Sequence, residues 1–182
     1  MKCANCPTKE CNLGKDCLGN SPKYKALYTG KYSAMIKSSA EVIREAHSKL
    51  NRLDEIILFS KKMNYTKLGV VFCIATKREA EILANKLKND FEVYSVCCKV
   101  NGIDKKDIGT VNTIDDKKEV SCNPCCQADV LNGLHTDLNI ILGLCVGHDI
   151  LFQAGSKAPC TTLLVKDRVN ENCTSKIFLP SH

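Results

Sequence analysis

The chain has no tryptophan and only five phenylalanines and five tyrosines in 182 residues. Sequence-tolerant readers of single-stranded nucleic acid stack bases on aromatic side chains and concentrate positive charge along a groove. Here the formal charge of +6 comes from lysines interleaved with aspartates and glutamates, so nucleic acid is not an expected partner. No stretch approaches the roughly 18 apolar residues that span a bilayer, and no membrane association is expected. Cys3 and Cys6 stand behind Lys2 where a signal peptide would carry its apolar core, so a cytoplasmic location is expected. Neither G-x-G-x-x-G nor G-x-x-x-x-G-K-[ST] follows any candidate strand, which leaves dinucleotide and nucleoside triphosphate binding without a motif.

Cysteine is what the chain has in excess, thirteen in all. An odd number cannot pair completely within one chain, and cytoplasmic thiols stay reduced, so the cysteines read as metal-binding or catalytic. They fall into two groups. Cys3, Cys6, Cys11 and Cys17 form C-x2-C-x4-C-x5-C within residues 1–22, a segment with almost no large apolar side chains. Nothing hydrophobic can hold it, so a bound metal is expected to fold it as a four-cysteine knuckle. Four thiolates complete either a tetrahedral zinc or a 4Fe–4S cluster, and this single compact wrap is at least as compatible with the cluster.

Beyond the knuckle, residues 23–66 read as a helical layer. Ile36, Ala40, Ile43, Ala46 and Leu50 keep helical spacing. Asn51 then caps a second helix that buries Leu53, Ile56, Ile57 and Met63. Residues 67–182 read as a Rossmann-like α/β domain with a parallel sheet of about four strands, placed at 68–75, 91–100, 138–145 and 161–165. Thr76 and Glu79 suggest a capping box for a helix buried through Ala80, Leu83, Ala84 and Leu87. Asn123-Pro124 opens another helix, and 147–154 a short one. Residues 101–120 read as a loop over the sheet, its run Asp115-Asp116-Lys117-Lys118-Glu119 being solvated surface.

In such a sheet ligands gather outside the carboxyl ends of the strands. Cys73, Cys97, Cys98 and Cys145 fall near those ends, and Cys122 precedes the Asn123-Pro124 helix start, where the helix dipole favours a thiolate. Strand alternation sends only one of Cys97 and Cys98 into a given face, and Cys98 is nearer the loop. Cysteine is also a small hydrophobe often buried in strands, which accounts for Cys73 or Cys97 singly, but less well for the recurrence at strand ends. Cys98, Cys122 and Cys145 are therefore the expected ligands of a second metal or cluster site, with Cys73 as a fourth or a supporting thiol. Cys125 and Cys126 stay open as extra ligands or small helix residues, and Cys160 and Cys173 read as ordinary thiols.

Gly143-Leu144-Cys145-Val146-Gly147 embeds G-x-C-x-G, the elbow that presents a nucleophile in α/β hydrolases. A triad would then need a partner among Asp167, Glu171 and the terminal His182. His148 and Asp149 are candidate proton carriers, and Lys166, Asp167 and Arg168 candidate binders of an anionic substrate.

Phe72-Cys73, Cys97-Cys98-Lys99-Val100, Cys122-Asn123-Pro124, Gln127-Ala128, Gly143 to Asp149, Ala158-Pro159, Thr161-Thr162 and Lys166-Asp167-Arg168-Val169 resemble the motifs of an uncharacterised family of cysteine-rich proteins from anaerobic bacteria and archaea. The resemblance covers nearly the whole chain. It implies metal binding without an assigned reaction; family members commonly carry apolar residues where this chain has Cys125 and Cys126. More loosely, the strand-end thiols are similar to those of small desulfidases, which hold a 4Fe–4S cluster on three cysteines and leave one iron open. The expectation is thus a metal- or iron–sulfur-binding protein, acting on a sulfur-containing or small anionic substrate. The alternatives are a non-catalytic metal carrier, electron carrier or redox protein, and a cysteine hydrolase. Oligomerisation stays open.

Overall fold

The computed structural model of the chain describes residues 1–115 and 117–179. Asp116 of the charge run and the candidate triad member His182 lie outside the described residues. Two compact units form, Met1–Lys49 and the chain from Leu50 onward.

The first unit begins with short 3-10 turns at Cys3–Asn5 and Glu10–Leu13, followed by helices α1 (Ser21–Lys25) and α2 (Gly30–Ala46). The expected stripe of α2 is displaced. Ser38, Val42 and Ala46 are its buried positions, whereas Ile36, Ala40 and Ile43 are exposed. Ala46 of the expected stripe is buried, but its partners are small and β-branched Ser38 and Val42 at i, i+4 spacing and not the isoleucines.

The second unit carries α3 (Arg52–Lys62), β1 (Lys67–Phe72), α4 (Lys77–Leu87), β2 (Glu92–Cys97), α5 (Pro124–Gly133), β3 (Leu138–Leu142), α6 (His148–Gly155) and β4 (Cys160–Leu164). All strand pairs are parallel, in the order β2-β1-β3-β4. Leu68, Val70, Leu138, Ile140 and Leu142 point to one face, where Ile56 of α3 and Ala80, Leu83 and Leu87 of α4 cover them. Val71, Val96 and Ile141 point to the other, against Ala128 and Leu131 of α5 and Phe152 of α6. The sheet is therefore sandwiched between helices, as continuously apolar parallel strands require. Each fully buried Leu, Ile or Phe contributes about 1.5–3 kcal/mol to this core.

The chain leaves β1 toward β2 on one side and later enters β3 on the other, so the carboxyl ends of β1 and β3 flank the topological switch point. Both strands stop short of the expected boundaries there. β1 ends at Phe72 and turns into a 3-10 step, Ile74–Thr76. β3 ends at Leu142 because Gly143 takes a positive φ of +63°, beside Thr76, whose methyl would lie 2.7 Å from an added Cβ. The capping box does not form. Buried Thr76 Oγ1 donates instead to the carbonyls of Cys73 (2.9 Å) and Leu142 (3.1 Å), tying the two strand ends together. The cap on α3 does form: Asn51 Oδ1 accepts from the amides of Leu53 and Asp54. Asn123 likewise caps α5 through the Cys126 amide.

The loop after β2 is anchored, not merely solvated. Asp104 and Val120 pair as an antiparallel bridge at its base. The Glu119 carboxylate accepts from the amides of Thr113 (2.9 Å) and Ile114 (2.8 Å) and pairs with Lys105. Glu119 thus departs from the solvated role expected of the charge run. Among the described residues no helix is long and apolar enough to cross a membrane.

Candidate functional site

Three sulfurs meet in a row at the carboxyl edge of the sheet. Cys73 follows β1 and donates its amide to Leu142 O (3.3 Å). Cys98 follows β2; its amide donates to Phe72 O (2.9 Å), and its carbonyl accepts from the Asn123 amide (2.7 Å). That last bond draws Cys122 from the distant start of α5 to the side of Cys98. Cys98 is 1 % exposed and Cys73 7 %, and Cys122 is half-buried against the same apolar cluster. Cys98 Sγ accepts from the Ile74 amide at 3.3 Å, and the Cys122 and Cys73 thiols are near enough to influence its titration.

Cys98 and Cys122 titrate as a pair, one thiol favouring the charged form and the other the neutral one. Cys122 is held down to about 5 by the hydrogen bond from Cys98, against burial, with the positive charges of Lys99 and His148 assisting. The Cys98 thiol is pushed up, because it must keep its proton to donate to Cys122 and because it is buried. Cys73 feels an upward push from burial, but the Lys166 ammonium, 3.0 Å from its sulfur, and the Ala75 amide overcome it and leave the thiol below its ordinary value.

The segment after β4 supplies the surrounding charge. Lys166 reaches Cys73, and two residues on, Arg168 Nη2 lies 3.4 Å from Cys145 Sγ. Asp167 between them serves the backbone. Its carboxylate accepts from the Asn170 amide (3.0 Å) and side-chain amide (2.8 Å), and its own amide donates to Asn172 Oδ1 (3.0 Å). Asp167 thereby shapes the turn that carries Lys166 and Arg168. Asp149 is similarly occupied, accepting from the Ile150 amide at 2.8 Å.

Cys145 is carried on the turn between β3 and α6. β3 stops three residues before it, and its carbonyl accepts from the amides of His148 and Asp149 at the start of α6. A nucleophile elbow strains the nucleophile's own backbone; here positive φ falls on Gly143 and Gly147, and Cys145 is not among the positive-φ residues. The side chain bonded to Cys145 is Arg168, whereas the charge of His148 acts on Cys122. Among the described residues no histidine side chain is hydrogen-bonded to the Cys145 sulfur, and the alternative triad member His182 lies outside them. Cys97 is half-buried, Cys125 exposed, and Cys160 lies at the amino end of β4, away from the row. Cys3, Cys6, Cys11 and Cys17 belong to the first unit. Among the described residues, no group of three or more His, Cys, Asp or Glu stands ready to hold a metal ion.

Two contributors carried no role in the sequence reading. Lys99 follows Cys98 and is positioned by a 2.6 Å bond from its Nζ to Val120 O. Gln127, wholly buried, donates through Nε2 to Val96 O (2.8 Å) and Phe72 O (3.3 Å), joining carbonyls near the carboxyl ends of β2 and β1. The signal for Gln127 was present: an amide on the buried face of an apolar helix needs polar partners.

An uncharacterized protein of Methanocaldococcus jannaschii is 49 % identical over 177 residues, which covers 96 % of this chain and 92 % of that protein. No solved structure matches the chain. A family model described as protein of unknown function (DUF1847) matches residues 15–163, spanning the sheet and the whole sulfur row while Cys3, Cys6 and Cys11 precede it, and the chain belongs to that family.

Proposed function

We propose that the strand-end row is a thiolate site that binds a thiophilic metal or an iron–sulfur cluster and offers it to a small anionic, sulfur-containing substrate. One observation supports the reading: Cys73, Cys98 and Cys122, from three separate segments, gather near the switch point of the sheet, where Cys98 interacts electrostatically with each of the other two. The donor chemistry fits such a group. Thiolates are soft ligands, and Cys122 and Cys73 already sit in surroundings that favour the deprotonated form a metal requires. The sulfurs form a row and not a closed shell, so a metal would be held first by Cys98 and Cys122, with Cys73 or an approaching Cys145 completing it. The group, once bound, would supply Lewis acidity toward sulfur. The chain's own residues do the rest. Lys166 and Arg168 attract an anion to the rim, and His148 can hold or release a proton beside Cys122.

The test is anaerobic purification of the full chain with iron, zinc and acid-labile sulfide analysis, repeated on Cys98→Ser/Cys122→Ser. The double substitution is expected to remove one metal centre per chain. Unchanged metal content would sink the reading. A second reading, thiol–disulfide chemistry without metal, draws on the electrostatic interaction between the Cys98 and Cys122 thiols. It takes first place if the metal content is unchanged and mild oxidation joins these two residues in a disulfide.

A further inference from the structure

The first unit poses a separate question, because its first twenty residues have shape without a core. No residue is buried in either 3-10 turn, Cys3–Asn5 or Glu10–Leu13. The chain nevertheless reverses repeatedly, through left-handed backbone at Lys9 (φ 47°), Gly14 (φ +94°) and Gly19 (φ +67°). Ordering each residue costs about 1–2 kcal/mol of conformational entropy, and hydrophobic burial does not offset that cost here. Something else must.

The reversals bring sulfur to one place. Cys3, Cys11 and Cys17 line a single cavity of about 550 Å³, together with Asp16 and Asn20. Cys6 is joined to Cys3 by a 3-10 bond, its amide donating to Cys3 O at 3.1 Å, and side chains three apart in such a turn eclipse one another. The Cys6 sulfur lies 3.9 Å from Thr8 Oγ1, a weak contact that a metal can replace. Cys11 and Cys17 bond only to carbonyls two residues back, Lys9 O (3.8 Å) and Lys15 O (3.7 Å). Those interactions are equally replaceable. Asp16 is spent on the backbone, accepting from the amides of Leu18, Gly19 and Ser21, so it does not compete as a ligand. Asn20 Oδ1 is buried in the cavity wall without a hydrogen-bond partner.

We infer that Cys3, Cys6, Cys11 and Cys17 form a second four-thiolate metal centre, independent of the strand-end row, and that metal binding completes the fold of this segment. Cys3, Cys11 and Cys17 line the cavity and Cys6 adjoins Cys3 through the 3-10 bond, without yet forming a metal shell. Closure requires the left-handed positions Gly14 and Gly19 to swing, and glycine does this without steric cost. A single zinc would draw all four sulfurs to about 2.3 Å of one atom, whereas a cluster would spread them over several irons. Both use the same four thiolates.

The experiment compares the full chain carrying Cys98→Ser/Cys122→Ser with one that also carries Cys11→Ser/Cys17→Ser. Each is metal-stripped and given either zinc alone or iron with sulfide. Bound metal and sulfide are counted, and trypsin cleavage after Lys9 and Lys15 is timed. The first chain is expected to bind one centre and to resist cleavage roughly tenfold or more over its stripped form, since a ligand of the folded state suppresses opening. The chain with all four substitutions is expected to lose both. Stoichiometric sulfide identifies a cluster, and protection by zinc alone identifies a single ion; either supports the inference. If the first chain binds no metal, or the second is protected equally, the inference falls, and the strand-end proposal is judged separately by its own double substitution.

Discussion

The strand-end row and the amino-terminal segment are both rich in cysteine, yet they are positioned by opposite means. Cys73 and Cys98 are carried on the ends of buried parallel strands, where their backbone amides continue the sheet ladder. Cys3, Cys11 and Cys17 are exposed and rest on local turns. A sulfur fixed by a packed core keeps its place whether or not a ligand is present. A sulfur fixed by turns takes its final place only when the ligand supplies energy.

The largest effect is expected from breaking the scaffold under the row alone. Gly69 of β1 lies beside Asn139 of β3 in register. Its added Cβ would fall 2.1 Å from Asn139 Oδ1 and 2.8 Å from Leu131 Cδ1. Asn139 cannot step aside, because it is wholly buried, its Oδ1 accepts from Thr136 (2.8 Å) and its Nδ2 donates to Ser156 (2.8 Å). Gly69→Ala should therefore destabilise the second unit by about 3 kcal/mol, the upper part of the range for overpacked cores. Denaturant unfolding measures this, and trypsin cleavage after Lys9 and Lys15 should stay at its wild-type rate. A stability loss below roughly 1 kcal/mol would mean that the sheet is not the rigid support claimed for it.

A smaller effect separates the two groups by reactivity. In metal-free protein Cys122, held at about 5, is mostly thiolate at pH 6, whereas an ordinary cysteine near 8.5 is almost wholly protonated. Low basicity also lowers intrinsic nucleophilicity, so the expected advantage with iodoacetamide at pH 6 is about tenfold over a free cysteine. His148→Ala should slow the reaction, since its positive charge helps hold the thiolate. Mass spectrometry of the alkylated peptides provides the rates. Equal labelling of Cys122 and a free cysteine at pH 6 would remove the division of charge between Cys98 and Cys122.

The strands, their parallel pairing and the Asn-capped helices were legible because each rests on a local pattern: continuous apolar runs, and Asn or Asn-Pro at a helix start. The position of Cys98 just after a strand and of Cys122 just before a helix was legible from local patterns. What could not be read depends on distances between segments. Cys145 was assigned to a strand end, but Gly143 takes positive φ because Thr76 passes close by, and the strand stops early. Thr76 and Glu79 matched a capping box, yet the Thr76 hydroxyl found two strand carbonyls instead. The turn that Asp167 makes with Asn170 and Asn172 was likewise invisible without the spacing between them in the fold.

The smallest effect concerns the loop between β2 and α5, which stands between the two regimes: it has no core, but a single carboxylate organises it. Glu119 is held down to about 2 by Lys105, assisted by the amides of Thr113 and Ile114, all of which bind its charged form. In the opened loop it titrates near its ordinary 4.5. A carboxyl lowered on folding contributes stability that is complete above its unfolded value and fades as pH falls through its folded one. The loop should therefore hold its shape at pH 5 and above and loosen between 4.5 and about 2. Amide chemical shifts of Thr113 and Ile114 should follow that window, with the sheet amides unmoved. Glu119→Gln should flatten the response, since a neutral amide keeps acceptor geometry but loses the ion pair with Lys105. A midpoint at the ordinary carboxylate value in the wild-type chain would show that the charge run is solvated surface after all and that the loop is held by its Asp104–Val120 bridge alone.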